Sequence, residues 1–305
     1  MSGVYMAVAD LLRDRWPQMA IKLYNKIYNS EKGKKDVEVL LSLALSYDIA
    51  GDTRKAEEKY SEAIAVNPGD ARSYYGIAIL YDMGGDYDRA VEYYNKAIEL
   101  NPNYTKAYYF LAFIYDDRGE KEKAIACYKK VVELEPGNFW ALNNLGSVYE
   151  EVDEDHLALE AVKKALAIEP EHYKALYNMG VILGKIGYRE KAVDYYMKSI
   201  RQNPQYPDSY LNLAVLYREE GNFKKAIEII SQGIERNKNT SYLYYNRACF
   251  LVHQKSLEDA LTDLELAAKL SPVLIEYIEK DEELEPVKRL KAYKNLLYGE
   301  KGQIK

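Results

Sequence analysis

The sequence predicts an all-α fold, a solenoid of stacked antiparallel helix pairs closed by capping helices at its C-terminal end. Three observations predict it. Prolines recur at Pro68, Pro102, Pro136, Pro170, Pro204 and Pro272, on a 34-residue grid that misses only Lys238. Twelve residues before each grid point stands an alanine: Ala56, Ala90, Ala124, Ala158, Ala192, Ala226 and Ala260. Twenty-four residues before it stands a small residue: Ala44, Ala78, Ala112, Gly146, Gly180, Ala214 or Ala248. Self-similarity at a fixed period of this length marks a repeat architecture, in which each unit buries its apolar face only against its neighbours.

Residues 1–36 read as a degenerate first helix pair, with Ala20, Tyr24 and Ile27 in second-helix positions and two extra residues, Lys35 and Asp36, before the regular array. Residues 37–272 hold seven 34-residue units. Within each, apolar residues fall at helical spacing on two segments, as in Leu40, Leu43, Ala44 and Tyr47, then Ala56, Tyr60 and Ala63. Gly51, Gly85, Gly119, Gly187 and Gly221 lie between the two segments, where a left-handed residue ends a helix without a Cβ penalty. Asp52, Asp86 and Asn222 follow such glycines as N-caps of the second helix. The grid proline stops that helix, because it lacks an amide hydrogen and restricts the residue before it. The two small-residue columns let the paired helices approach closely. Tyr47, Tyr81, Tyr115, Tyr149 and Tyr217, with Tyr60, Tyr94, Tyr128 and Tyr196, fill the space between neighbouring pairs. Residues 273–305 are expected to cap the array, with helices over Val273–Lys280 and Pro286–Tyr298, the second carrying Val287, Leu290, Tyr293 and Leu297 on one stripe and ending at Gly299.

The bulk composition narrows the partners. A net charge of -6 with no basic block argues against nucleic acid and anionic membranes, since phosphate binding needs clustered Lys and Arg. The N-terminal stretch lacks the pattern of a signal peptide, and no apolar run approaches the roughly 18 residues of a membrane span. Two cysteines far apart, Cys127 and Cys249, favour a reducing compartment, so a cytoplasmic location is expected.

The spacing of Tyr74, Ile77, Ala78, Tyr81, Ala90, Tyr94, Ala97 and Pro102 resembles the tetratricopeptide repeat. The resemblance implies a right-handed superhelix of helix pairs in which the first helix of each pair lines the concave side. The positions on that helix not used for packing are then expected to face a groove. Asn144, Asn178, Asn212 and Asn246 share one such position, and Asn143 precedes the first of them; both Asn143 and Asn144 are expected to point into the cavity. A primary amide is both donor and acceptor, so a column of amides can hold an extended peptide backbone. The column resembles the asparagine ladder of the protein O-GlcNAc transferases. The alternative is that asparagine is simply the repeat's habitual residue there.

Earlier in the chain the same face is apolar: Leu41, Leu45, Ile49, Tyr75, Ile79, Met83, Tyr109, Phe110 and Phe113, with Tyr5, Met6 and Leu12 from the first pair and Tyr177 and Tyr245 later. Such a stripe exceeds what a monomer normally exposes, so a partner's apolar segment, a second copy or the chain's own terminal helix should cover it. Arg72, Lys106 and Lys174 stand where a ligand carboxylate could be met. Lys174, Asn144 and Asn178 partly resemble the carboxylate clamp of related repeats, but Tyr109 and Phe113 replace its Lys and Asn, and Asn178 replaces its Arg, which argues against a clamp. An acidic line, Asp48, Asp82, Asp116, Asp117, Glu150, Glu151 and Glu219, is read as solvated or paired charge more readily than as a basic-ligand site.

No catalytic motif is present. Cys249 and His253 share a helix face, yet two ligands are too few for a structural zinc site, and the acidic turn around His156 lacks calcium-loop spacing. No enzyme activity, cofactor or metal is expected. The reading is a protein-interaction adaptor that binds an extended segment of a partner. The alternatives are a self-associating scaffold built on the apolar N-terminal half and a receptor for a short signalling peptide.

Overall fold

A computed structural model describes residues 2–293 of the chain. Residues 2–293 are helical throughout, with no strand among them. The first pair is α1 (Ser2–Leu12) and α2 (Pro17–Tyr28). Seven pairs follow on the 34-residue grid: α3 (Val37–Ile49) and α4 (Thr53–Val66), α5 (Ala71–Met83) and α6 (Tyr87–Leu100), α7 (Thr105–Asp117) and α8 (Lys121–Leu134), α9 (Phe139–Glu151) and α10 (Asp155–Ile168), α11 (Tyr173–Lys185) and α12 (Arg189–Gln202), α13 (Pro207–Glu219) and α14 (Phe223–Arg236), α15 (Ser241–His253) and α16 (Leu257–Leu270). Two short helices, α17 (Leu274–Lys280) and α18 (Glu285–Lys288), complete the described chain.

The chain divides into two compact units, Met1–Ala141 and Leu142–Lys305. Each is a stack of helix hairpins. In the first, α1 to α7 each pack on the next helix; in the second, each helix from α10 to α15 packs on its successor. The alanine column explains the close packing, because all seven alanines from Ala56 to Ala260 are fully buried. Where the facing column has glycine instead, even a Cβ does not fit: at Gly146 it would lie 2.4 Å from Val162 Cγ2, and at Gly180 2.7 Å from a Tyr196 ring carbon. Tyr60, Tyr94, Tyr128 and Tyr196 are buried as expected.

The inter-helix turns follow from backbone sterics. The five expected glycines have φ between 73° and 86°. In the two units without that glycine the same conformation is imposed on Asp153 (φ 61°) and Lys255 (φ 62°), so the hairpin geometry outweighs the cost of a Cβ at positive φ. Asp52, Asp86 and Asn222 accept from the backbone amide three residues on, as an N-cap should, and Asp36 and Asp70 cap the first helices α3 and α5 by accepting from the amide two residues on. The second helices end two residues before each grid point. That holds for α14 as well, which no proline follows: Asn237 leaves the helical region (φ -133°, ψ 59°) and its side chain bonds the Gly233 carbonyl, so a capping amide does the work of the ring.

Two expectations change. Among the described residues, the helix expected over Pro286–Tyr298 is broken after the single turn α18: residues 289–292 form turns, in which the amides of Leu290 and Tyr293 bond three residues back, although Val287 and Tyr293 are buried as the stripe requires. Leu297, Tyr298 and Gly299 lie outside the described residues. Met6 and Leu12 do not line a groove but pack on Ala9, Ala20 and Tyr24 in the core of the first pair, because α1 turns them toward α2.

Candidate functional site

In the first unit, α3, α5 and the start of α7 form a concave wall. Leu41 and Leu45 of α3, Tyr75, Gly76 and Ile79 of α5, and Tyr104 and Lys106 at the start of α7 line a groove of about 460 Å³ backed by Tyr60. Lys106 also lines a second hollow of about 460 Å³ with Tyr109, Phe110 and Trp140. The floor is aromatic. Tyr75 lies 4.9 Å from Tyr104 and 6.4 Å from Phe110, and Phe110 stacks on buried Tyr94 at 6.2 Å. Tyr109 packs edge-on against Tyr128 at 5.9 Å. Such offset and edge-on pairs hold the rings in fixed orientations. Phe113 is 54% exposed and Met83 78%, so the apolar stripe reaches the surface as the spacing predicts.

Charged side chains border the α3–α5–α7 groove: Arg13, Glu38, Asp48 and Arg72 line it beside Lys106. Arg72 is committed to Asp70 and Glu38, which raise its already high pKa. Lys106 has no ion pair among the described residues and stands between the two hollows. Asp48 and Asp82 have raised pKa values because burial penalises their charged forms. The rest of the acidic line is largely paired: Asp116 with Lys121, Glu150 with Lys185 and Glu219 with Arg189.

Sequence reasoning missed Tyr104 and Trp140. Both fall near the start of a first helix, where a cap or solvated residue is expected. The available signal was the run Asp36, Asp70, Tyr104, Asn138, His172, Tyr206 and Thr240 at the capping position, in which two bulky aromatics stand where no side-chain cap forms.

In the second unit the asparagines are hydrogen-bonded within the chain. Asn143 is 3% exposed and does not face a cavity, contrary to the expectation from its spacing. Its Oδ1 accepts from Asn178 Nδ2 at 3.0 Å, and its own amide reaches Asn144 Oδ1 at 3.4 Å. Asn212 donates to the Tyr177 hydroxyl at 2.9 Å, and Asn246 to the carbonyl of Tyr242 at 2.8 Å. Tyr177 is wedged against Tyr206 at 5.2 Å and Tyr196 at 5.9 Å. Lys174 is half-buried at the start of α11. Asn178 and Tyr177 keep one edge on a small hollow of about 190 Å³ beside Glu150 and Val181.

The chain's own C-terminal segment covers the last first-helix face. Tyr245 donates to Asp281 at 2.5 Å, and Glu283 takes two bonds from Arg218, at 2.9 and 3.1 Å, and one contact with His253 at 2.6 Å. Tyr245 is therefore occupied from within, the internal cover that an unpartnered apolar face calls for.

Family models of the tetratricopeptide repeat match residues 71–104, 93–126, 114–153, 141–172, 173–206 and 195–228, together an unbroken run over more than half of the chain. The chain belongs to the tetratricopeptide repeat family. This TPR protein has no match among the curated proteins. Among solved structures it is similar to a tetratricopeptide repeat protein from Parabacteroides merdae, with 21% identity over 80% of this chain and 97% of that one, TM-score 0.67. It is also similar to YrrB, a TPR protein with an unusual peptide-binding site, with 24% identity over 66% of this chain and 99% of that one, TM-score 0.53. A chain of the APC/C hetero-tetramer Cut9–Hcn1 is 18% identical over 96% of this chain and 55% of its own length, TM-score 0.61. At these identities the likeness is one of fold. The TPR fold is typically a protein-interaction module rather than a catalytic one. No helix of the described residues is long and apolar enough to cross a membrane.

Proposed function

We propose that this TPR protein is a non-enzymatic adaptor whose first unit binds an apolar segment of a partner protein along the wall of α3, α5 and α7. The observation that carries the reading is the contiguous half-buried surface of Leu41, Leu45, Tyr75, Ile79, Tyr104 and Phe110, which no described segment of the chain covers. Lys106, between the two hollows, favours a segment with a carboxylate close to its apolar anchors. YrrB, of similar fold, is described as having a peptide-binding site, which lends the same kind of support. Two free cysteines fit a cytoplasmic setting.

The test is peptide display against the full chain, followed by affinity measurement on variants. Losing one buried aliphatic anchor costs about 1.5–3 kcal/mol, or roughly ten- to hundredfold in Kd. Ile79→Ser and Lys106→Glu should therefore weaken selected peptides, whereas Lys129→Glu on the exposed side of α8 should not. Peptides that bind all three variants equally, or a chain that light scattering finds as a dimer closed over this wall, would overturn the reading.

A further inference from the structure

We propose that Cys249, His253, Asp281 and Glu283 form a metal site, suited to zinc, that clips the C-terminal segment onto the last helix pair. The four residues come from two elements. Cys249 and His253 stand four apart on α15 and so share one helix face. Asp281 and Glu283 stand two apart in the tight turn between α17 and α18, where Asp281 Oδ1 accepts from the Glu283 amide at 2.9 Å and draws both side chains toward α15.

Three of the four ligands already converge: the ligand atoms of Cys249, Asp281 and Glu283 all fall within 4.8 Å of one another, with Cys249 Sγ 3.8 Å from Asp281 Oδ2, while His253 joins them through Glu283 Oε1, 2.6 Å from its Nε2. Metal–ligand bonds of about 2.0–2.3 Å at tetrahedral angles place ligand atoms about 3.3–3.8 Å apart. To complete that spacing the His253 ring must leave Glu283 and turn toward Cys249 and Asp281. The hydrogen bond between His253 and Glu283, and the thiol contact to Asp281, are the contacts a cation would replace.

Donor chemistry selects the ion. One sulfur, one imidazole nitrogen and two carboxylate oxygens suit a borderline cation, whereas calcium and magnesium take oxygen ligands. Charge closes as well: a thiolate and two carboxylates balance one divalent ion plus Arg218, which already donates to Glu283. A bound ion would hold the coordinating sulfur deprotonated. The surroundings also orient the ligands. Tyr245 donates to Asp281, Arg218 fixes Glu283, and Phe223 stacks on the His253 ring at 4.3 Å. Cys249 is buried, while the 40% exposed His253 side chain leaves an entry from solvent.

The test uses the full chain, stripped with a chelator and titrated with zinc against a chromophoric competitor, with native mass spectrometry for stoichiometry. One equivalent should bind, with affinity falling as pH is lowered. Cys249→Ser and His253→Gln should remove it, and Tyr245→Phe should weaken it about 10–100-fold. Cobalt on the wild-type chain should give a thiolate-to-metal charge-transfer band that survives Cys127→Ser and vanishes in Cys249→Ser. Absence of stoichiometric zinc in the wild-type chain, or binding that both ligand variants leave intact, would overturn the proposal. The cobalt band of the wild-type chain decides the matter even if a variant fails to fold.

Discussion

Replacing Asn178 by alanine separates a ligand-holding amide from a structural one. Asn143 is almost fully buried, and the Asn178 Nδ2 donor at 3.0 Å satisfies its Oδ1. Removing that donor leaves a buried carbonyl oxygen unpaired, at a cost of about 1–3 kcal/mol. Alanine returns up to about 0.7 kcal/mol through better helix propensity, so the expected net loss is about 0.5–2 kcal/mol. An amide that merely awaits a ligand would give the opposite sign, a small gain. The assay is a double-mutant cycle with Asn143→Ala, followed by urea unfolding and by hydrogen exchange of the α11 amides, because a repeat array need not unfold as one unit. A coupling of at least about 0.5 kcal/mol between the two positions is expected. If Asn178→Ala is neutral or stabilising and the coupling vanishes, the structural assignment fails and the ladder returns.

Two other outcomes follow from buried charge. Asp263 is 3% exposed and takes two bonds of 2.7 Å from Arg247, which also reaches Ser231 on α14. Asp263→Ala should cost about 3–5 kcal/mol in the second unit, because it strands a half-buried guanidinium, and hydrogen exchange of α15 and α16 would check it. In the first unit, burial raises the pKa of Asp82 in the folded state above its unfolded value of 3.8, against the opposing Tyr94 hydrogen bond. The unfolded state then loses its proton first as pH rises, so stability falls through the window just above 3.8 and the penalty persists at neutral pH. Asp82→Asn keeps the acceptor for the Tyr94 hydroxyl and should raise stability at pH 7, with the gain shrinking as the pH is brought down to 3.8.

How much of this was legible beforehand depends on how local the cause is. The alanine and glycine columns report contacts within one hairpin, so their spacing alone fixed helix boundaries, turn conformation and the close approach of paired helices. Caps were legible where they follow the glycine inside a hairpin and were missed at Asp36 and Asp70, which stand between one hairpin and the next. Spacing could assign Asn143 and Asn144 to a helix face but could not divide them, since adjacent residues lie about 100° apart and the wall's edge falls between them. The seating of Asp281 and Glu283 on Tyr245, Cys249 and Arg218 joins residues 32 to 65 positions apart outside the repeat pattern. No periodicity encodes it. The Cys249–His253 pair therefore read as too few ligands for a site, because the carboxylates proposed to complete it arrive from a segment the repeat does not describe.

The asparagines themselves answer to a rule of reach between repeats. Asn178 bonds residue 143 and Asn212 bonds residue 177, each 35 positions back, so the amide of one first helix reaches the preceding one. The tie requires an acceptor there, which Asn143 and Tyr177 supply. Thirty-five positions before Asn246 stands Leu211, which offers none, and Asn246 turns instead to the carbonyl of Tyr242 on its own helix. In the first unit the same tie is made by rings: Phe110 meets Tyr75, 35 positions back, at 6.4 Å. A ring–ring tie is apolar and leaves an apolar wall, whereas an amide tie spends its polar group internally. On the proposed reading, the apolar Tyr75–Phe110 tie suits the first unit's wall to a partner, while in the second unit a ligand reaching for Asn178 or Asn212 would have to break a repeat-to-repeat bond first. Asn246, tied only to a carbonyl of its own helix, is the amide a ligand could claim at least cost to the stack.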